Sequence, residues 1–171
     1  IMGAQFVMGV NIGAAIGRAK AMEAKGYRYS YDMLGEGART MKDADRYFDT
    51  YMMAIERIGK AANNRGPIES PGISVKLSAI HPRYEFSHQD RVKNELIPRL
   101  KELALKAKSF DIGFTVDAEE ADRLDISLDI IESVFADNDL AGWDGFGIAV
   151  QAYQKRAIHV IEWVRDLTQR V

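Results

Sequence analysis

Four short apolar runs in this chain each end on a polar residue, and each leads into a helical pattern. They are RYSYD at 28–32, ISVK at 73–76, IGFTVD at 112–117 and GFGIAVQ at 145–151. A charge or amide recurring at the same place in a βα unit is hard to explain by packing alone. In parallel α/β folds, ligands sit outside the carboxyl ends of the strands. Asp32, Lys76, Asp117 and Gln151 are therefore read as four contributions to one site. Successive strand ends lie 44, 41 and 34 residues apart. That even spacing, with no GxGxxG turn, favours a (β/α) barrel over a Rossmann sheet. Gly145 and Gly147 precede or begin a strand and do not form a phosphate loop.

Between these runs the helices are legible from their apolar faces and end signals. The first starts after Asn11, a capping residue, carries Ile12, Ile16, Ala19 and Met22, and stops at Lys25-Gly26. Tyr27, Tyr29 and Tyr31 alternate onto one face of the first strand. Thr40 and Asp43 resemble a capping box, followed by Ala44, Tyr47, Phe48, Tyr51, Ile55 and Ile58 at helical spacing. A loop closed by His81-Pro82 is expected after Lys76. A helix over about 89–108 follows, with Pro98 predicting a kink or a late start. Leu124, Leu128, Ile131 and Phe135 line the next helix, which Asn138 and Gly142 end. Val160, Ile161, Val164 and Leu167 line the last.

Some chemistries fall away at once. The chain has no cysteine, which removes disulfides, thiolate catalysis and Cys-bound metals. His81, His88 and His159 lack metal-ligand spacing, and no metal site is predicted. A formal net charge of −2, with basic and acidic residues interspersed, offers no basic field for nucleic acid. Its 171 residues, 47 % hydrophobic and 28 % charged, have the length and balance of one globular domain. No stretch approaches a membrane span. The Ile1-Met2 start and the helical close VIEWVRDLTQRV read as interruptions of a longer chain.

The strand-end residues admit several roles. Lys76 points to the side of Ser74, away from Ile73 and Val75, and is read as a semi-buried cation for a substrate carboxylate or a partner of Asp117. Asp117 must find a cation or solvent. Gln151 can donate and accept, which suits a ring with mixed hydrogen-bonding edges, or it can cap its own loop. Asp32 and Glu36 flank a tight segment and could hold Lys76, Arg83 or Arg123. Glu119 stands four residues before Arg123, a helical ion-pair spacing. Paired acids, Asp32 with Asp117, also admit a barrel hydrolase.

Longer strings narrow this field. RYSYDMLGEGA at 28–38, PGISVKLSAIHPRY at 71–84, DIGFTVDAEEADRLDISLD at 111–129 and GFGIAVQAYQKR at 145–156 closely resemble the proline dehydrogenase domain of bacterial bifunctional proline utilisation A flavoenzymes. The resemblance runs from about Gly9 onward. It implies a distorted (β/α)8 TIM-like barrel, of which this chain supplies a leading helix within 1–26 and the first four βα units over 27–171. It implies FAD as cofactor, L-proline oxidised to Δ1-pyrroline-5-carboxylate by hydride transfer to the flavin, and membrane quinone as electron acceptor. A separate NAD-dependent domain of the parent would oxidise glutamate semialdehyde to glutamate.

Carried over by motif, Lys76 matches a lysine on the proline carboxylate, Asp117 an aspartate near that lysine and the flavin, Ala118 a residue beside the cofactor, and Gln151 a glutamine on the isoalloxazine ring. Asp32 and Glu36 match acids in the barrel mouth that help close it over substrate. The family's later RLVKGAYW-like strand and paired arginines are not in this sequence. These 171 residues alone are therefore expected to show little activity and weak FAD retention. A self-associating half-barrel is the nonenzymatic alternative. The remaining half of the barrel and further copies of the chain are expected partners. The expected location is cytoplasmic, with peripheral contact at the inner membrane.

Overall fold

A strictly sequential parallel sheet, in the order β1-β2-β3-β4, organises the chain. A computed structural model describes residues 6–171; the first five residues of the predicted leading segment lie outside the described residues. The strands are β1 (Ser30–Asp32), β2 (Gly72–Val75), β3 (Phe114–Val116) and β4 (Phe146–Ile148). The main helices are α1 (Ile12–Glu23), α2 (Met41–Ala62), α3 (Gly66–Glu69), α4 (Leu77–Ile80), α5 (Gln89–Lys108), α6 (Leu124–Phe135) and α7 (Ala157–Arg170). This is the layout of the first half of a (β/α)8 barrel.

Capping explains where the helices begin. The Asn11 side chain accepts the Ala14 N–H at 3.0 Å and starts α1. Thr40 and Asp43 form a reciprocal capping box at α2. The helix ends at Asn63, which takes the left-handed conformation. The α5 helix starts at Gln89 although it contains Pro98. Pro98 and Asn94, whose carbonyl loses its helical donor, are both exposed, so water can satisfy that carbonyl.

The core lies between the helices and one face of the sheet. Ile73, Val75, Phe114 and Val116 are buried there against Ile55 and Ile58 of α2 and Leu96, Leu100 and Leu103 of α5. Removing such side chains from water contributes about 1.5–3 kcal/mol each. Tyr31 joins this face, its ring stacked at 6.2 Å from that of Tyr29.

Several expectations need correction. Tyr27 is 56 % exposed and does not share the Tyr31 face, because β1 begins only at Ser30. The segment after Lys76 is a helical turn, α4, with all four residues buried. The deepest face of α6 is Ile126, Ile130, Ile131 and Val134; Leu124, Leu128 and Phe135 are half-buried. That helix ends at Phe135, and a separate 3-10 turn, Asn138–Leu140, precedes Gly142. In α7, Ile161 faces outward. The fourth strand stops at Ile148, where pairing to β3 ends. Gln151 therefore lies three residues past the strand, on the loop.

Candidate functional site

Sheet register explains why three distant charges meet. Asp32 stands opposite Ser74, Ser74 opposite Thr115, and Thr115 opposite Gly147. Side chains alternate along a strand, so this layer faces away from the helices. Two residues further on, Lys76 and Asp117 project from the same face, one layer nearer the C-terminal ends. The Asp117 N–H donates to the Val75 carbonyl at 2.9 Å and carries the β2–β3 register up to that level.

There the Lys76 ammonium donates to both carboxylate oxygens of Asp32, at 2.7 and 2.8 Å. It also lies 2.9 Å from Asp117 Oδ2. The lysine side chain is 13 % exposed, that of Asp117 28 % and that of Asp32 49 %, so Asp32 is the wet member. Burial disfavours the ammonium, but the hydrogen bonds and charges of Asp32 and Asp117 outweigh it and hold its pKa above the ordinary lysine value. Tyr51 of α2 fixes the backbone: its buried hydroxyl accepts the Lys76 N–H at 3.2 Å. Burial pushes the Tyr51 phenol up to about 12, so it is neutral at physiological pH.

The other predicted residues are placed as follows. Ala118 is half-buried, its N–H donating to the Asp117 carboxylate at 3.0 Å. Gln151 is drawn to the same rim: its amide donates to the Glu119 carbonyl at 3.1 Å and accepts from Gln154. Glu36 is exposed and joins no ion pair among the described residues. Its loop rests on α2 through Gly35 (φ +118°), where a Cβ would come within 2.6 Å of the Tyr47 ring. Arg83 is exposed and apart from the triad, whereas Arg123 pairs with Glu120 at 3.0 Å.

Three contributors were not singled out by sequence: the Tyr51 hydroxyl, Ser78 and the carboxylate of Glu119. The Glu119 side chain is 9 % exposed and accepts the Ser78 N–H at 3.1 Å. Burial pushes its pKa up, against hydrogen bonds from Ser78 and the charge of Arg123. Arg123 also lies over the Tyr84 ring, 5.3 Å from its centre. A cleft opens beside this group, lined by Ala118, Glu119, Gln151, Leu124, Leu128 and Val160.

His81 has a structural task. Its Nδ1 accepts the Arg83 N–H at 3.1 Å, and Nε2 lies 3.0 Å from the Glu95 carboxylate. An accepting Nδ1 places the proton on Nε2 and makes the ring neutral. Burial accordingly lowers its pKa, against the pull of Glu95.

Comparison with known proteins gives a consistent result. The proline dehydrogenase family model matches residues 15–171. The chain is 55 % identical over 170 residues to the bifunctional protein PutA of Klebsiella aerogenes, covering 99 % of this chain and 13 % of that protein. It is 52 % identical over 170 residues to the bifunctional protein PutA of Rhizobium meliloti, covering 99 % and 14 % respectively. A crystal structure of Bradyrhizobium japonicum proline utilization A superposes with a TM-score of 0.85 at 57 % identity, over 96 % of this chain and 17 % of that one.

Proposed function

Because the chain belongs to the proline dehydrogenase family, we propose that it builds one side of the active site of an FAD-dependent proline dehydrogenase within a longer parent. The parent oxidises L-proline to Δ1-pyrroline-5-carboxylate and passes the electrons to membrane quinone. A separate NAD-dependent domain of the same parent oxidises glutamate semialdehyde to glutamate. Residues 27–171 form the first half of the barrel, and 1–26 the leading segment. The chain covers only 13 %, 14 % and 17 % of the three relatives named above.

The observation that carries this reading is the Lys76 ammonium between Asp32 and Asp117 at three adjacent strand ends. Lys76 binds the proline carboxylate. Two carboxylates against one ammonium leave the triad with a formal charge of −1, so an incoming carboxylate needs room on the lysine. Asp32, the more exposed acid, gives way, which makes it the gate together with the loop bearing Glu36. Asp117 stays in place, holds the ammonium and sets the local electrostatics.

The inner face fits a flat cofactor. Most barrels fill this layer with bulky branched side chains; here it is Ser74, Thr115 and Gly147. A Cβ on Gly147 would meet nothing closer than Thr115 Oγ1, at 3.8 Å. Packing within the chain therefore does not demand glycine there, and a strand glycine without that demand suits close approach of a ligand. FAD, when bound, supplies the hydride acceptor. Ala118 and Gln151 would hold the ring from this side.

The hydrolase reading finds less support. It needs one acid free to protonate a leaving group, whereas Asp32 and Asp117 share one ammonium. The test uses the purified full-length protein. A flavin absorbance spectrum and proline-dependent reduction of a dye are expected. A colourless protein inert to proline under saturating FAD would end this assignment.

A further inference from the structure

One chain of hydrogen bonds crosses all four C-terminal loops. The Gly37 N–H donates to Ser78 Oγ at 3.1 Å, and the Ala38 N–H to the Ser78 carbonyl at 2.9 Å. These tie the loop after β1 to the turn after β2. The Ser78 N–H donates to the Glu119 carboxylate at 3.1 Å, tying that turn to the loop after β3. The Glu119 carbonyl accepts the Gln151 amide, tying that loop to the one after β4. Ser78 and Ala38 are buried and the Glu119 side chain nearly so. A buried acceptor left without its donors costs more than the bond is worth in water, so these links are rigid. We infer that Glu119 is the positioning residue that couples the substrate-carboxylate subsite at Lys76 to the ring-binding subsite at Gln151.

The geometry of Glu119 supports this. Lys76 is two residues before Ser78, and Asp117 two before Glu119. Both the lysine backbone and its acid partner are thus short levers from the Ser78–Glu119 bond. On its own loop, among the described residues, the Glu119 carboxylate pairs only with Arg123, at 4.0 Å, and Arg123 has the nearer Glu120. The buried carboxylate is therefore directed at the neighbouring turn. The inference rests on the roles proposed above for Lys76 and Gln151.

The test is made in the full-length flavoenzyme with Glu119→Ala, Glu119→Gln and, as control, Glu120→Gln on the same loop. Glu119→Ala is expected to raise KM for proline about tenfold and to shift the visible spectrum of the bound flavin at the same time, since both subsites move. Glu119→Gln keeps an acceptor for Ser78 and should restore both readouts to within about threefold of the parent. Glu120→Gln should leave both unchanged. A residue that merely stabilised the fold would lower the melting temperature and the active fraction, with KM and spectrum per bound flavin unmoved. That result overturns the inference, as does a KM change with an unshifted flavin. If Glu119→Ala does not fold, Glu119→Asp, one methylene too short for Ser78, gives the same pair of readouts. Failure of the parent enzyme to oxidise proline would instead strike the functional assignment.

Discussion

The two central strands and the two flanking strands carry the same kind of polar end, but they hold it differently. On β2 and β3, Ile73, Val75, Phe114 and Val116 are all at most 1 % exposed. Lys76 and Asp117 emerge from that floor with their backbones pinned, by the Tyr51 hydroxyl and by the Val75 carbonyl respectively. On the flanks, all three residues of β4 are only half-buried, Asp32 is half-exposed, and Gln151 sits on a loop beyond its strand. Each flanking strand has one neighbour among the described residues. The centre therefore fixes charge in space, while on the β1 flank the half-exposed Asp32 carboxylate can move to meet a ligand.

Substitutions can break this contrast. Phe114→Ala should cost about 3–5 kcal/mol of stability, the range for emptying a buried aromatic site. Phe146→Ala, on the half-buried flank, should cost less than half of that. Melting of the full-length protein followed by flavin release checks the pair; equal losses would erase the difference between centre and flank.

For function, Lys76→Met should lower kcat/KM for proline by roughly 100-fold or more, from the 2–5 kcal/mol associated with truncating one member of a partly buried charge pair. Asp32→Asn should act in the opposite sense on binding. It removes the anion that competes for Lys76, so KM should fall by about three- to fivefold, near 1 kcal/mol for a half-exposed pair. Steady-state kinetics on both variants decides this, and a raised KM in Asp32→Asn would show that the acid supports binding.

Gly147→Ala should leave the melting temperature within about 1 °C, because the Cβ has room. It should weaken FAD retention several-fold, read by equilibrium dialysis. The smallest expected effect lies at His81. Its folded pKa is below the ordinary 6.5, so the unfolded chain binds more protons just below that pH. Stability from this group is present above pH 6.5 and is lost as pH falls toward the folded value. His81→Asn keeps an acceptor for the Arg83 N–H and should reduce the loss of unfolding free energy between pH 7 and 5.5 by less than about 1 kcal/mol, read from denaturant melts at the two pH values.

How much of this was legible follows from how local each signal is. Asn11, Thr40 with Asp43, and the α5 span announce themselves within a few residues, and the structure has them where the pattern puts them. The alternation Ile73-Ser74-Val75-Lys76 was enough to turn Lys76 away from the core. The turn Leu77–Ile80 was missed because a single four-residue turn is too short to show a helical period of its own. Gln151 was placed too close to the strand because GFGIAVQ stays apolar after pairing to β3 has ended. Glu119 looked like one more acid beside Arg123. Its decisive partner, Ser78, is 41 residues away, and nothing in the spacing points to it. The Tyr51 hydroxyl was hidden for the same reason, inside an apolar face that was otherwise read correctly.

The strand order also bears on how the chain assembles. Each strand pairs with the one made immediately before it, and no strand inserts between two earlier ones. Every addition to the sheet closes a loop of about 40 residues, a small increment in chain entropy that hardly grows from one step to the next. During synthesis at about 5–20 residues per second, a new unit becomes available every few seconds, far longer than a helix or loop needs to form. The barrel wall can thus be laid down in order from the N-terminus, with each finished strand serving as the template for the next.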